Sequence, residues 1–491
     1  MFESAEVGHR IADREYKRAV TKLREDLLKA QYDLISRKSF QLIVLTGGVD
    51  GAGKSETVNV LNEWMDPRGI STHAFGAMSE DERERPKMWR YWCALPPKGR
   101  MAILFGAWDA DPIAERVHGD TDEAEFELAL GNIVGFERML ANEGALILKF
   151  WFHLSKKAQK KRLKALSSDP KTRWRVTDAE WERFEHYDRY RKVSEIAVRE
   201  TSTSYAPWMI VEGTDANYRY LTVGRMLLEA MRKRLAGKKP VITRTAVLPP
   251  PPLDGRSLLS QVDYRASLGD SEYKRMLEKY QRELNLLMRH KKLRRKSIIA
   301  VFEGVDAAGK GGSIRRVTGA LDARQYQVIP IAAPTDEESA RPYLWRFWRH
   351  LPRKGRMTIF DRSWYGRVLV ERVEKLCAED DWMRAYEEIN DFEEQLIEAN
   401  CVVTKFWLTI SKQEQLKRFR AREKTPFKTF KITRDDWRNR AKWDDYERAV
   451  GDMIERTSNR PAPWILVPGN DKHWARISVL KTLCERIDAA L

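Results

Sequence analysis

Two stretches carry the side chains best suited to chemistry: GVDAAGKGG, Gly304–Gly312, and MTIFDRSWYGR, Met357–Arg367. Glycines in the first leave backbone N–H groups free to turn toward a phosphate, and a helix beginning there adds its positive end. Gly304, Ala308, Gly309, Gly311, Gly312 and Ser313 are read as that cradle, with Lys310 placing a full charge among the phosphate oxygens. In the second stretch Asp361 ends an apolar run, the place where such loops find a metal-holding acid. Arg362 and Arg367 follow with two positive charges. Gly311 stands where Ser or Thr usually holds the metal, so Asp306 inside the loop is taken as the second ligand, facing Asp361. This set suits phosphoryl transfer, with Lys310, Arg362, Arg367 and Mg²⁺ at Asp306 and Asp361 neutralising two mutually repelling anions. None of the eight histidines falls in a catalytic or metal motif. An acceptor that is itself a phosphate needs no general base, because its oxygen is already ionised at pH 7.

The same loop occurs earlier as GVDGAGKSE, Gly48–Glu56, with Lys54 and Lys310 lying 256 positions apart. At that offset RPKMWRYWCALPPKGRM matches RPYLWRFWRHLPRKGRM, and KFW and APW recur, so the chain is a duplicated domain. The first copy departs at the decisive place. Phe105 stands for Asp361, Gly106 for Arg362 and Asp111 for Arg367. Asp109 and Asp111 lie beyond the strand end and would need a rebuilt loop to replace the lost acid. The first half is therefore read as degenerate, keeping its cradle without the chemistry. Its basic stretch SSDPKTRWRVTDAEW leaves it able to grip a polyanion.

These residues need a frame to hold them. SIIAVFEG, QVIPIAAP, MTIFD and VVTKFWLTI are predicted as buried strands, separated by helical stretches such as the one marked by Tyr273, Met276, Tyr280, Leu284 and Leu287. Strands alternating with helices give an α/β fold with a parallel sheet covered on both faces, whose ligands sit at the carboxyl ends of the strands. Pro249–Pro252 can continue neither helix nor central strand, which places a Pro-rich linker over 239–256 between domains at 1–238 and 257–491.

Composition narrows the function classes. The 491 residues, 42% of them hydrophobic, suffice for two domains with cores. No apolar run reaches the roughly 18 residues of a membrane span, and the N-terminus lacks a signal-peptide layout. Four cysteines without metal or disulfide spacing suit a reducing, cytoplasmic setting. A net charge of +17 points to a polyanionic partner.

GVDAAGKGG, PTDEE (Pro334–Glu338), FDRSWYGRVLVERV and PAPWILVPGNDKHWAR together resemble the family-2 polyphosphate kinases, over essentially the whole chain. The resemblance makes Gly311 after the lysine ordinary. It implies two tandem P-loop kinase-like α/β/α domains similar to thymidylate kinase, with a helical lid over Arg418–Trp437 carrying Arg418, Arg422, Lys424, Lys428 and Lys431 toward polyphosphate. The tandem form and Gly366 after DRSWY look like the branch that reversibly phosphorylates AMP to ADP with polyphosphate and Mg²⁺. Alternatives are ADP or GDP as acceptor, an ATP-dependent nucleoside monophosphate kinase, and, more remotely, a non-catalytic nucleic-acid binder. Against the last, WRYW and WRFW are read as helix core, so neither nucleic acid nor membrane is expected as a partner. A homo-oligomer is compatible with the sequence, although two fused copies can replace a dimer's partner.

Overall fold

The computed structural model describes residues 1–237 and 258–491; the linker assigned to 239–256 lies outside the described residues. Two compact units divide the chain. The first is built on the residues up to 237 apart from Ser79–Trp89, and takes in Pro334–Trp345. The second is built on the residues from 258 apart from Pro334–Trp345, and takes in Ser79–Trp89.

The first unit holds strands β1 (Leu42–Gly48), β2 (Ile70–Ala74), β3 (Met101–Phe105), β4 (Leu146–His153) and β5 (Trp208–Glu212). They form one parallel sheet in the order β2-β3-β1-β4-β5. The second unit repeats it with β6 (Ser297–Gly304), β7 (Tyr326–Pro330), β8 (Met357–Asp361), β9 (Cys401–Thr409) and β10 (Trp464–Pro468) in the order β7-β8-β6-β9-β10. In both, the chain leaves the central strand toward one edge and returns to its other side. The carboxyl ends of β1 and β3, and of β6 and β8, therefore flank the crevice where ligands of such sheets bind.

Burial follows the pattern of a sheet covered on both faces. Ile298, Ala300 and Phe302 join a core with the helices Asp270–Met288, Lys310–Thr318 and Lys472–Ala490, while the alternate Ile299 and Val301 are equally buried on the opposite side. On that side the helix Glu379–Glu398 brings Ile389, Phe392 and Leu396. All nine residues of β9 are buried. QVIPIAAP corrects the sequence reading: the strand is Tyr326–Pro330 and lies at the sheet edge with most side chains outward. Its β-branched run favours an extended backbone but does not say how many neighbours it will have. The fifth strand, Trp464–Pro468, was not foreseen as a strand. WRYW and WRFW are helical, and Tyr91, Trp92, Phe347 and Trp348 are buried.

Backbone conformation carries the duplication to finer detail. Left-handed residues recur at the 256 offset, among them Gly48 with Gly304, Gly51 with Ala307, Gly53 with Gly309 and Gly106 with Arg362. The two loops are the same curve drawn twice.

Candidate active site

In the second unit β6 runs into the loop and the helix Lys310–Thr318 begins directly behind it, with left-handed Gly309 as its N-cap. Gly304 has φ +146°, and a Cβ there would sit 2.2 Å from the Leu408 carbonyl oxygen, so only glycine fits where the loop leaves the sheet. Ala308 and Ser313 are buried beneath the loop, while Gly309 and Gly311 have open space around the position of a Cβ. Lys310 folds back over the cradle and donates to the Gly304 carbonyl at 2.6 Å. Burial lowers the pKa of its ammonium, Asp306 opposes that, Arg362 reinforces it, and Glu303 and Asp361 oppose it again. Five charged groups thus act on one another at the carboxyl ends of β6 and β8.

Asp306 is held from two sides, by Asn439 Nδ2 at 2.9 Å and by the Arg362 guanidinium at 3.4 Å, while Gln415 supports its carbonyl at 3.1 Å. Asp361 ends β8 half-buried, and its carboxylate has no hydrogen bond or ion pair among the described residues. No group of three or more potential metal-ligating side chains occurs among the described residues. Two carboxylates, one of them unpartnered beside the phosphate loop, fit Mg²⁺, which keeps several waters and takes phosphate oxygens rather than an all-protein cage.

Arg362 itself sits at φ +66°, a left-handed conformation that costs a side-chain-bearing residue about 1–2 kcal/mol. The surroundings hold it there. Its N–H donates to Phe302 O at 3.0 Å, and Ser363 Oγ donates to Glu303 at 2.9 Å. Behind them Tyr365 and Trp364 donate to Glu393 at 2.6 and 3.1 Å, and Glu393 pairs with Lys405 at 2.6 Å in a site with no solvent exposure. Lys405 also donates to Thr457 O at 2.7 Å, so this buried pair is fully engaged. Sequence reasoning took KFW as a repeat marker within a buried strand and missed the roles of Lys405, Glu393 and Glu303; a lysine inside an otherwise uncharged strand was the available signal. Arg367 lies in the short helical turn Trp364–Arg367, with Nε 2.8 Å from Glu371.

The lid residues divide. Arg418 was expected over the donor and is instead buried at 8% exposure. Its guanidinium donates to the carbonyls of Ala307, Ala308, Gly469 and Asn470 at 2.7–3.2 Å and pairs with Glu414 at 2.7 Å. That corrects its assignment: two of its carbonyl partners, Ala307 and Ala308, lie in the phosphate loop and two, Gly469 and Asn470, follow β10, so the guanidinium ties the loop to its neighbour from behind. Arg422 is half-buried and Lys424 exposed past the end of the helix Lys412–Glu423. Lys428 and Lys431 lie in the turn Pro426–Lys431, their side chains outside the described residues.

The first unit keeps the cradle and changes its charges. Lys54 donates to Gly48 O and, at 2.9 Å, to Val49 O, with its Nζ 5.9 Å from the Phe105 ring centre. Asp50, the counterpart of Asp306, is ion-paired to Arg183 at 2.7 Å where the second unit has neutral Asn439. A fixed guanidinium thus occupies the carboxylate that would receive a metal. Glu56, the counterpart of Gly312, gathers Arg162, Arg175 and Arg219 at 2.9, 3.3 and 2.9 Å. Of the basic stretch that sequence reasoning left to a polyanion, Arg175 is used in this way, while Lys171 and Arg173 stay exposed. Asp109 is a second correction. It does reach the loop, lining its cavity at 6% exposure, because Gly47 leaves the space that Glu303 fills in the second unit. Both units thereby keep one buried acid acting on the loop lysine, contributed in the first by the turn after β3 and in the second by β6.

Comparison with known proteins agrees with this architecture. The polyphosphate kinase 2 family model matches residues 10–239 and again 267–491. The polyphosphate:AMP phosphotransferase of Pseudomonas aeruginosa is 55% identical over 491 residues, covering 100% of this chain and 99% of its own. A protein of the same description from Acinetobacter johnsonii is 38% identical over 94% of this chain and 95% of its own. A crystal structure described as a polyphosphate kinase 2 from Pseudomonas aeruginosa superposes with a TM-score of 0.90 at 53% identity, covering 100% of this chain and 99% of that one. With two matched regions, two copies of one sheet and the phosphate loop in each, the chain belongs to the polyphosphate kinase 2 family.

Proposed function

We propose that the protein transfers the terminal phosphate of inorganic polyphosphate to AMP, giving ADP, and that the second half, 257–491, carries the reaction while 1–238 does not. The observation that carries the acceptor and donor is similarity along the full length of both halves to a polyphosphate:AMP phosphotransferase. Lys310 and the loop N–H groups hold the phosphate being transferred, and the strained Arg362 presents a guanidinium across from Asp306. Arg367 adds charge from the next turn, and Arg422 and Lys424, at the end of the helix Lys412–Glu423, would meet the polymer in this reading. AMP brings an oxygen already ionised at pH 7, so positioning and neutralisation suffice. Asp306 and Asp361 are the residues that would hold Mg²⁺. Bound there, the ion would neutralise charge on the phosphoryl oxygens.

Incubation with AMP and Mg²⁺ and either polyphosphate or ATP tests the donor, and AMP against ADP tests the acceptor. ADP formed from polyphosphate and AMP is the expected result. Asp361→Asn and Lys310→Ala should each lower that rate by about 10²–10³ with the fold intact. Transfer from ATP alone would refute the donor, and a fully active Asp361→Asn would refute the site.

A further inference from the structure

The first unit retains a costly loop without the second unit's acid. Gly48, Gly51 and Gly53 are all left-handed, and a Cβ on Gly48 would lie 2.0 Å from Phe152 O. The helix Lys54–Trp64 points its N-terminus at the cavity this loop encloses. That cavity measures about 180 Å³. This is below the roughly 300 Å³ at which sites for drug-sized ligands begin. A single phosphate fits that space.

Its lining has a mixed character that selects further. Loop N–H groups and Lys54 call for an anion. Asp109 faces the same space, 94% buried by its 6% exposure, and its carboxylate accepts no hydrogen bond from another residue among the described ones. A buried acceptor beside an anion site asks for a ligand bringing its own hydrogen-bond donor. Arg183 holds Asp50 at 2.7 Å, closer than Arg362 holds Asp306 at 3.4 Å, which disfavours a metal there. Glu56 holds Arg162, Arg175 and Arg219, so these three arginines beside the loop are already paired within the protein.

We propose that the first unit's loop is a metal-independent site for a single phosphate that carries a proton, with Lys54 and the loop N–H groups taking its charged oxygens and Asp109 accepting its P–OH. Free orthophosphate keeps such a proton at pH 7.5, whereas the end unit of a polyphosphate offers one only in its protonated fraction. Sulfate, equal in shape, has no proton to offer at neutral pH. Burial raises the Asp109 pKa to about 6, so at pH 7.5 it is chiefly the accepting carboxylate.

Equilibrium dialysis of labelled orthophosphate against the full chain carrying Lys310→Ala, in EDTA at pH 7.5, reads this site apart from the second. One equivalent should bind, and sulfate should compete at least about a hundredfold more weakly, because the buried carboxylate rejects the unprotonated analogue. Lys54→Ala should remove the equivalent, and Asp109→Asn should bring sulfate within about tenfold of phosphate. Competition by polyphosphate identifies the chain end as a ligand; its failure to compete leaves free orthophosphate. Absence of binding, binding indifferent to Lys54, or sulfate bound as tightly as phosphate overturns the proposal. The sulfate comparison needs no change in the first unit, so it stands even if Lys54→Ala does not fold.

Discussion

Arg418→Ala and Lys424→Ala separate two roles that sequence alone assigns to both residues. Arg418 is nine-tenths buried, bonded to four carbonyl oxygens and paired with Glu414. Truncation leaves those carbonyls without a donor and Glu414, 19% exposed, without its partner. An unsatisfied buried polar group costs about 1–3 kcal/mol, and breaking a buried ion pair about 3–5 kcal/mol. These do not add, because the same relaxation relieves several of them, so about 3–5 kcal/mol is the expected loss for the second unit. In a unit of this size that is a fall in its melting temperature on the order of 10 °C. The same change frees Ala307 and Ala308, so kcat should drop with it. Lys424 is exposed and should leave stability unchanged. Its removal should raise the apparent KM for polyphosphate and shallow the log–log salt dependence by about 0.7, if the polymer sheds counterions as a single nucleic-acid strand does. Calorimetric unfolding plus kinetics at several salt concentrations reads both variants. Arg418→Ala with native stability and a reduced salt slope would refute the bracing role.

Two further outcomes follow from the site geometry. Arg362→Gly should lower kcat sharply while raising stability by about 0.5–1 kcal/mol in denaturant titration, since Gly106 shows that glycine adopts this conformation without strain. A destabilised variant would mean Arg362 is held by contacts that matter more than its backbone. Asp109 has its folded pKa raised by burial from 3.8 to about 6, so its contribution to stability is full below about pH 4 and lost as pH rises toward 6. Asp109→Asn should therefore unfold at higher denaturant than the native chain at pH 7 by about 3 kcal/mol, with the gap closing by pH 4, in phosphate-free buffer.

The sheet, the two loops and the missing acid at Phe105 were legible because each is written in contiguous residues or in a comparison at fixed offset. What escaped was set by side chains meeting across the fold. Arg418 reads as a lid cation because its neighbours in sequence are basic; only the turn of its helix aims it behind the loop. Asp109 reads as misplaced because the space it needs is created by Gly47, on a different strand. Arg183 and Glu56 change one residue each against Asn439 and Gly312, and neither change means anything until Asp50 and the three arginines are near. The edge position of Tyr326–Pro330 depends on sheet order, which local propensity does not encode.

The two loops also show how a duplicated phosphate site changes its work without changing its backbone. The second unit stores strain at Ala307 and Arg362, where the first has Gly51 and Gly106 at nearly the same φ. Strain of that kind persists only where the surroundings over-determine it, and here Glu303, Ser363 and the Glu393–Lys405 pair do so. In the first unit Glu303 and Ser363 have become Gly47 and Ala107, yet Glu137 and Lys149 keep their 2.6 Å pair and Trp108 still donates to Glu137. The deep support is common to both; the layer touching the phosphate differs. Loss of the acid at Phe105 therefore did not leave a damaged copy of the second site. Arg183 on Asp50, Glu56 on three arginines and Asp109 beside Lys54 balance the charges of the first loop from within, an arrangement that supports the proposed single-anion pocket.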